Sequence, residues 1–247
     1  MSAPLVRIEG LRKEFRAVVA VEDVTLDVSP GEIVALVGDN GAGKSTVVKC
    51  IAGVHAPTAG RILLEGRAVE FSSPLDARSQ GIEVVFQDLA LASAQPVYMN
   101  MFLGRELVKG PLRRLDREAM AAETKALLDG LDVLVESPHR AVRDLSGGQR
   151  QGVAIARAMY WAQRLVLMDE PTAALGVAET RRVEEQILRM RDRGRATLIV
   201  SHSLDQVFRL AHRICVLRRG RQVGIRRTSE TTGDEIVAMI TGLRDAD

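Results

Sequence analysis

One stretch limits what this chain can fold into more than any other: Gly38-Asp39-Asn40-Gly41-Ala42-Gly43-Lys44-Ser45-Thr46. It fits G-x-x-x-x-G-K-[ST], a glycine-rich loop that has to leave a strand and enter a helix. Gly38, Gly41 and Gly43 let the backbone curl without Cβ clashes, so that successive amide N–H groups converge on a phosphate chain. Lys44 would reach the β- and γ-phosphates and the Ser45 hydroxyl would bind Mg2+, while the helix points its positive end at the anion. The flanks supply the required context. Glu32-Ile33-Val34-Ala35-Leu36-Val37 is a short apolar run of the buried-strand kind, and residues 46–52 follow as a helix closed by Gly53. A glycine-rich turn with a chance lysine would need neither flank.

With 247 residues the chain has room for one large α/β domain. Hydrophobic residues at 46% and charged residues at 27% exclude a disordered chain. Lys plus Arg number 34 against 32 Asp plus Glu, so nothing in the balance of charge calls for a polyanion, and no nucleic acid is expected as partner. Cys50 and Cys215 stand inside apolar runs and read as buried reduced thiols rather than as a disulfide or metal ligands. No basic stretch followed by an apolar run opens the chain, and nowhere do about 18 apolar residues follow one another. The expectation is a chain that neither crosses a membrane nor is secreted, while remaining free to dock on a membrane protein.

Short β-type runs at 5–8 and 24–28, ending at the turn Ser29-Pro30-Gly31, predict a small antiparallel sheet before the loop. Phe15, in the polar stretch Arg12-Lys13-Glu14-Phe15-Arg16, could stack an adenine ring or be a satellite core residue. Residues 61–65 and 82–86 read as strands, with a helix from the Ser73-Pro74 cap to Gly81 between them. The second strand delivers Gln87, whose amide could reach a bound Mg2+ or water if that strand end faces the nucleotide. From 88 to 161 short strands give way to helical periodicity: Met120, Thr124, Leu127 and Leu131 share a face after Asp116, and 147–161 is a second helix. Strand and helix alternate again from 165 to 217. Leu165-Val166-Leu167-Met168 ends in Asp169 and Glu170, and 196–200 ends in Ser201 and His202.

A loop of this kind followed by a strand ending in Asp is the general pair of nucleotide hydrolases: the aspartate holds Mg2+, and a neighbouring acid, here Glu170, takes a proton from the attacking water. Leu145-Ser146-Gly147-Gly148-Gln149 narrows the class, because a serine and two glycines opening a helix make a second anion-binding N-terminus in one chain. The whole set resembles the nucleotide-binding subunit of ATP-binding cassette (ABC) transporters. The resemblance implies an α/β fold: a P-loop NTPase core with an N-terminal antiparallel β subdomain (1–87 and 162–247) and an inserted α-helical subdomain (88–161), together one domain over 1–247. By the same resemblance ATP would be bound by Phe15, Gly38, Asn40, Gly41, Gly43, Lys44, Ser45 and Thr46. Mg2+ would be held by Ser45, Gln87 and Asp169, and catalysis would fall to Glu170, His202 and Gln87. Ser146, Gly147, Gly148 and Gln149 would contact the ATP of a second, head-to-tail cassette.

Gly176, in Pro171-Thr172-Ala173-Ala174-Leu175-Gly176, stands where most cassettes carry an aspartate that bridges the two subunits. That segment, with Gln87-Asp88-Leu89-Ala90-Leu91 and Phe102-Leu103-Gly104-Arg105-Glu106, looks like cassettes of bacterial monosaccharide importers of the ribose, xylose and fructose type. The implied partners are a second cassette, multi-span permease subunits docking near Tyr98, Met99, Met101, Phe102 and Leu103, and, indirectly, an extracytoplasmic solute-binding protein. The implied location is the cytoplasmic face of the plasma membrane. A Met- and aromatic-rich patch suits an adaptable docking groove, and equally the core of the helical subdomain. An amino-acid or export cassette, and a soluble ABC protein acting on ribosomes or DNA, are the competing readings.

Overall fold

The computed structural model describes residues 3–173 and 175–243; Ala174, and the two ends of the 1–247 domain reading, lie outside them. The chain runs β1 (Val6–Phe15), β2 (Val18–Val28), β3 (Ile33–Val37), α1 (Lys44–Ile51), β4 (Ala59–Leu64), β5 (Arg67–Val69), α2 (Pro74–Ser79) and β6 (Ile82–Val85). Next come α3 (Val97–Met101), a small hairpin of β7 (Val108–Lys109) and β8 (Arg114–Leu115), α4 (Arg117–Gly130) and α5 (Gly147–Trp161). The last part is β9 (Leu165–Asp169), α6 (Val177–Asp192), β10 (Ala196–Val200), α7 (Leu204–Leu210), β11 (Arg213–Arg218), β12 (Arg221–Arg227) and α8 (Gly233–Thr241).

Ten strands form one sheet in the order β5-β4-β1-β2-β12-β11-β3-β10-β9-β6. Its first four strands are antiparallel, whereas β11, β3, β10, β9 and β6 run parallel. Every residue of β3, β9 and β10 is buried, as a strand covered on both faces requires. Alternation then divides the core in two. Ile33, Ala35 and Val37 face a cluster built with α3 to α8, while Val34 and Leu36 face one built with α1 and the N-terminal strands. Cys50 and Cys215 lie in the second cluster as free thiols, and burial pushes them up to about 11 and about 12.

The structure extends or corrects several expectations. The polar stretch before Phe15 is strand, because β1 is paired on both sides, to β2 and β4, through register shifts that absorb its irregular pattern. The first helix starts at Lys44, two residues before the point expected. Thr232 caps α8 by accepting from the Glu235 N–H, and the Glu235 side chain bonds Thr231 and Arg226. The largest correction concerns the docking patch: Tyr98, Met101 and Phe102 are buried, with the Phe102 ring 5.5 Å from that of Tyr160 and 5.8 Å from that of Trp161. Of that set, Leu103 is exposed (49%) and Met99 is half-buried. Apolar side chains on a five-residue helix wedged against α4 and α5 go inward, and only the turn that follows is left outside.

Candidate functional site

Four parallel strands end side by side in the order β3, β10, β9, β6. Their register pairs Leu36 with Val200, Val200 with Asp169 and Val85 with Met168. Carried past the pairing, the same register puts Val37, Ser201, Glu170 and Gln87 in one row, neighbouring strands being about 4.8 Å apart. The glycine-rich loop leaves one end of this row and Gln87, exposed just past β6, stands at the other. Loops at the carboxyl ends of parallel strands are where α/β sheets place their chemistry.

The loop is shaped by main-chain contacts. Gly38 has φ 148°, and a Cβ there would collide with the Leu217 carbonyl oxygen of β11. At Gly43 (φ 101°) a Cβ would lie 2.6 Å from the Ala20 carbonyl oxygen. Lys44 is buried at the start of α1, and its ammonium donates to the carbonyls of Gly38 (2.7 Å) and Asp39 (2.8 Å). Two of its three N–H bonds thus hold the loop, and one is left for a phosphate. Burial lowers the Lys44 pKa, opposed by the charges of Glu170, Asp169 and Asp39. Burial likewise raises Asp169, opposed first by a hydrogen bond from the Ser45 hydroxyl. Ser45 and Asp169 therefore bring a hydroxyl and a carboxylate together. No cluster of three or more His, Cys, Asp or Glu stands ready for a metal among the described residues. An oxygen pair completed by phosphates and water is the donor set that Mg2+ takes, so the residues fit that ion.

Glu170 has φ 53° and its N–H donates to the Val200 carbonyl (2.9 Å), which turns the chain out of the strand line immediately after Asp169. The side chain of Glu170 is 21% exposed, and its Oε2 lies 3.4 Å from Nδ1 of His202, itself 65% exposed. A carboxylate beside an imidazole at an open strand end can accept a proton from water while its neighbour holds it in place. Behind this pair runs a polar network. Ser201 Oγ donates to Gln206 Oε1 (3.0 Å), Gln206 Nε2 donates to Thr172 Oγ1 (3.0 Å) and Glu184 Oε1 (3.3 Å), and Arg209 donates twice to Glu184. It ties the loop after β9 to the loop after β10. Sequence reasoning missed it because its members are scattered over four elements; the one local signal was Ser203, which caps α7 three residues before Gln206.

Phe15 ends β1 half-exposed at 40%, with the His55 ring edge-on at 5.0 Å and the Lys13 ammonium 5.0 Å above the ring. Asn40 and Gly41 are exposed at the tip of the loop, and Thr46 is half-buried on α1.

At the second helix N-terminus Ser146 caps α5 in a full capping box: Ser146 Oγ accepts from the Gln149 N–H (3.1 Å) and Gln149 Oε1 accepts from the Ser146 N–H (2.9 Å). Both ends of the Gln149 amide are engaged, since its Nε2 donates to the Leu134 carbonyl (2.6 Å). A Cβ on Gly147 would meet open space, whereas one on Gly148 would collide with the carboxylate of Glu179. The other oxygen of Glu179 accepts from the Gly176 N–H (3.1 Å), so the residue that caps α6 also leans on the start of α5. Among the described residues no hydrogen bond or ion pair joins the 146–149 turn to the 38–46 loop. The chain carries two separate helix N-termini opened by glycines.

Comparison with known proteins agrees with this arrangement. The family described as ABC transporter matches residues 21–173. The xylose/arabinose import ATP-binding protein XylG of Sulfolobus acidocaldarius is 45% identical over 237 residues, 96% of this chain and 94% of that protein. The fructose import ATP-binding protein FrcA of Rhizobium meliloti is 45% identical over 248 residues, 98% of this chain and 95% of that one. The crystal structure of the ADP conformation of MJ1267, an ATP-binding cassette of an ABC transporter, superposes with a TM-score of 0.81 at 25% identity, covering 97% of this chain and 96% of that chain. A family match through the part that carries loop, capped helix and carboxylate pair, and such identity along nearly the whole length, make this chain a member of the ABC transporter family, an ATPase of the ATP-binding cassette type.

Proposed function

We propose that this chain is the ATP-hydrolysing subunit of an importer that carries a small solute, a monosaccharide, through a membrane permease. The observation that carries the reading is the row of strand ends: a phosphate loop, a half-buried Ser45 beside buried Asp169 and a Glu170–His202 pair aligned on one sheet edge. Identity of 45% to import proteins for xylose/arabinose and for fructose supports the sugar.

In this reading Lys44 and the amides of 38–46 hold the triphosphate, with Phe15 against the adenine and Asn40, Gly41 and Thr46 lining the loop. Ser45 and Asp169 hold Mg2+ with Gln87 completing its surroundings, and the ion neutralises charge on the β- and γ-phosphates when bound. Glu170 takes the proton of the attacking water and His202 keeps Glu170 in line. The Ser146 hydroxyl and the first amides of α5, at Gly147 and Gly148, receive the γ-phosphate of a second cassette, much as an arginine finger completes other sites. Gln149, engaged at both ends, keeps that helix start in shape. The ten sheet strands all fall outside 88–161, which supports 88–161 as a helical subdomain set into a core of 1–87 and 162–247.

No helix among the described residues is long and apolar enough to cross a membrane, so attachment at the cytoplasmic face rests on a permease, itself served by a solute-binding protein outside. The turn at Leu103, not the buried Tyr98 and Phe102, is the apolar surface left for it. The test is to purify tagged Glu170→Gln protein from its own membranes in mild detergent with ATP, and to identify what copurifies. A multi-span membrane protein is expected, whose solute can then be assayed; ribosomal or DNA-bound material without one overturns the importer. Leu103→Glu is expected to lose that membrane protein at an unchanged basal ATPase rate. Phe102→Asp, which removes a buried ring and buries a charge at a cost of about 3–5 kcal/mol or more, is expected to unfold the chain.

A further inference from the structure

Strand β6 contains one acid. Glu83 is 6% exposed at its side chain, four residues before Gln87, and no step of hydrolysis uses it. Arg105 Nη1 lies 2.9 Å from its Oε1 and Arg78 Nε 3.7 Å from its Oε2. Arg157 of α5 is a third cation in its field. Burial raises the carboxyl and Arg105 is the first of the groups that draw it back down. A buried carboxylate is costly unless it is paired, and Arg105 is the nearest cation that pairs this one.

Arg157 and Arg105 also fasten the segment that follows Gln87. Arg157 donates to the carbonyls of Leu89 (3.2 Å) and Ala90 (3.2 Å). Further along, fully buried Asn100 accepts from the Ala92 N–H (2.7 Å) and donates to the Pro96 carbonyl (3.0 Å). Trp161 Nε1–H donates to the Met101 carbonyl (2.8 Å), and the Arg105 guanidinium lies 4.7 Å above the Trp161 ring. From Leu89 to Arg105 the segment is thus clasped to α5 and β6 at four points. Arg157 sits ten residues along α5 from Gly147, about 15 Å of helix.

We propose that Glu83 is a positioning residue for Gln87: by holding Arg105, which lies over Trp161 of α5, against β6 it makes the strand end, the 89–105 segment and α5 shift as one body when nucleotide binds. A displacement at Gln87 then arrives at Ser146, the far end of α5, and a displacement at Leu103 arrives at both. The inference rests on the ATPase reading above.

Trp161 is the only tryptophan in the chain and lies inside the clasp, so its emission reports on it. In Glu170→Gln protein, where ATP persists, Mg2+ and ATP are expected to shift Trp161 emission. Adding Glu83→Gln is expected to cut that shift by about half or more while ATP affinity, read by calorimetry, stays within about twofold; Glu83→Gln alone lowers kcat on the order of fivefold at unchanged KM. Arg105→Lys, which keeps the ion pair, retains the response, and Arg105→Met loses it even if Glu83→Gln fails to fold. An undiminished shift and kcat in Glu83→Gln, or ATP binding to the parent with no shift at all, overturns the inference. Failure of the parent to bind ATP strikes the ATPase reading instead.

Discussion

Replacing Glu170 by Gln is expected to stop turnover while leaving ATP in place. The amide keeps the shape of the carboxylate 3.4 Å from His202 Nδ1 and the same left-handed backbone at φ 53°, but it cannot take a proton. A positioned general base contributes roughly 100- to 10,000-fold, so kcat should fall on the order of a hundredfold or more. The bonds from Lys44 to the Gly38 and Asp39 carbonyls do not involve Glu170, and ATP affinity is expected to stay within about twofold. In the proposed mechanism hydrolysis releases the cassette pair, so the variant is expected to accumulate as an ATP-bound dimer. Phosphate release at steady state and sizing in Mg2+ and ATP measure both; release at the parent rate would remove Glu170 from the mechanism.

Lys44→Ala is expected to act on binding itself. The ammonium supplies a charge-assisted bond to phosphate worth about 1.5–3 kcal/mol, a loss of roughly 10- to 150-fold in affinity. It also ties the Gly38 and Asp39 carbonyls at 2.7 and 2.8 Å, so the variant loosens the loop before nucleotide arrives. Calorimetric titration with ATP distinguishes the two variants: Glu170→Gln binds and does not turn over, and Lys44→Ala barely binds. An affinity for ATP equal to that of the parent would place the triphosphate elsewhere.

Much of this was legible in the sequence, for local reasons. The loop at 38–46, the carboxylates after Met168 and the Ser146 cap are each set by a few adjacent residues whose backbone demands are strict. Plainly patterned elements such as β3 and α6 were legible too, since burial on both faces leaves an unbroken apolar run and burial on one face leaves a period. What stayed hidden depends on distant partners. An apolar run reads alike whether it lines a groove or a core, so Phe102 showed its burial only once Tyr160 and Trp161 were in place. Glu83 looked like an ordinary acid in a strand until Arg105, 22 positions away, was found beside it. Gln206 and Glu184 gave no sign of their network for the same reason.

Gly38 and Gly148, each beside a helix N-terminus, differ in how a genetic screen would treat them. At Gly38 the obstacle to a side chain is the main-chain oxygen of Leu217, which every residue at 217 would present, so Gly38→Ala has no suppressor at the position it strikes. At Gly148 the obstacle is the carboxylate of Glu179, the end of a flexible side chain, and Glu179→Ala clears the space. Revertants of Gly148→Ala should therefore map to residue 179, while those of Gly38→Ala should restore glycine itself: one of the two helix starts is open to compensatory drift and the other is closed to it.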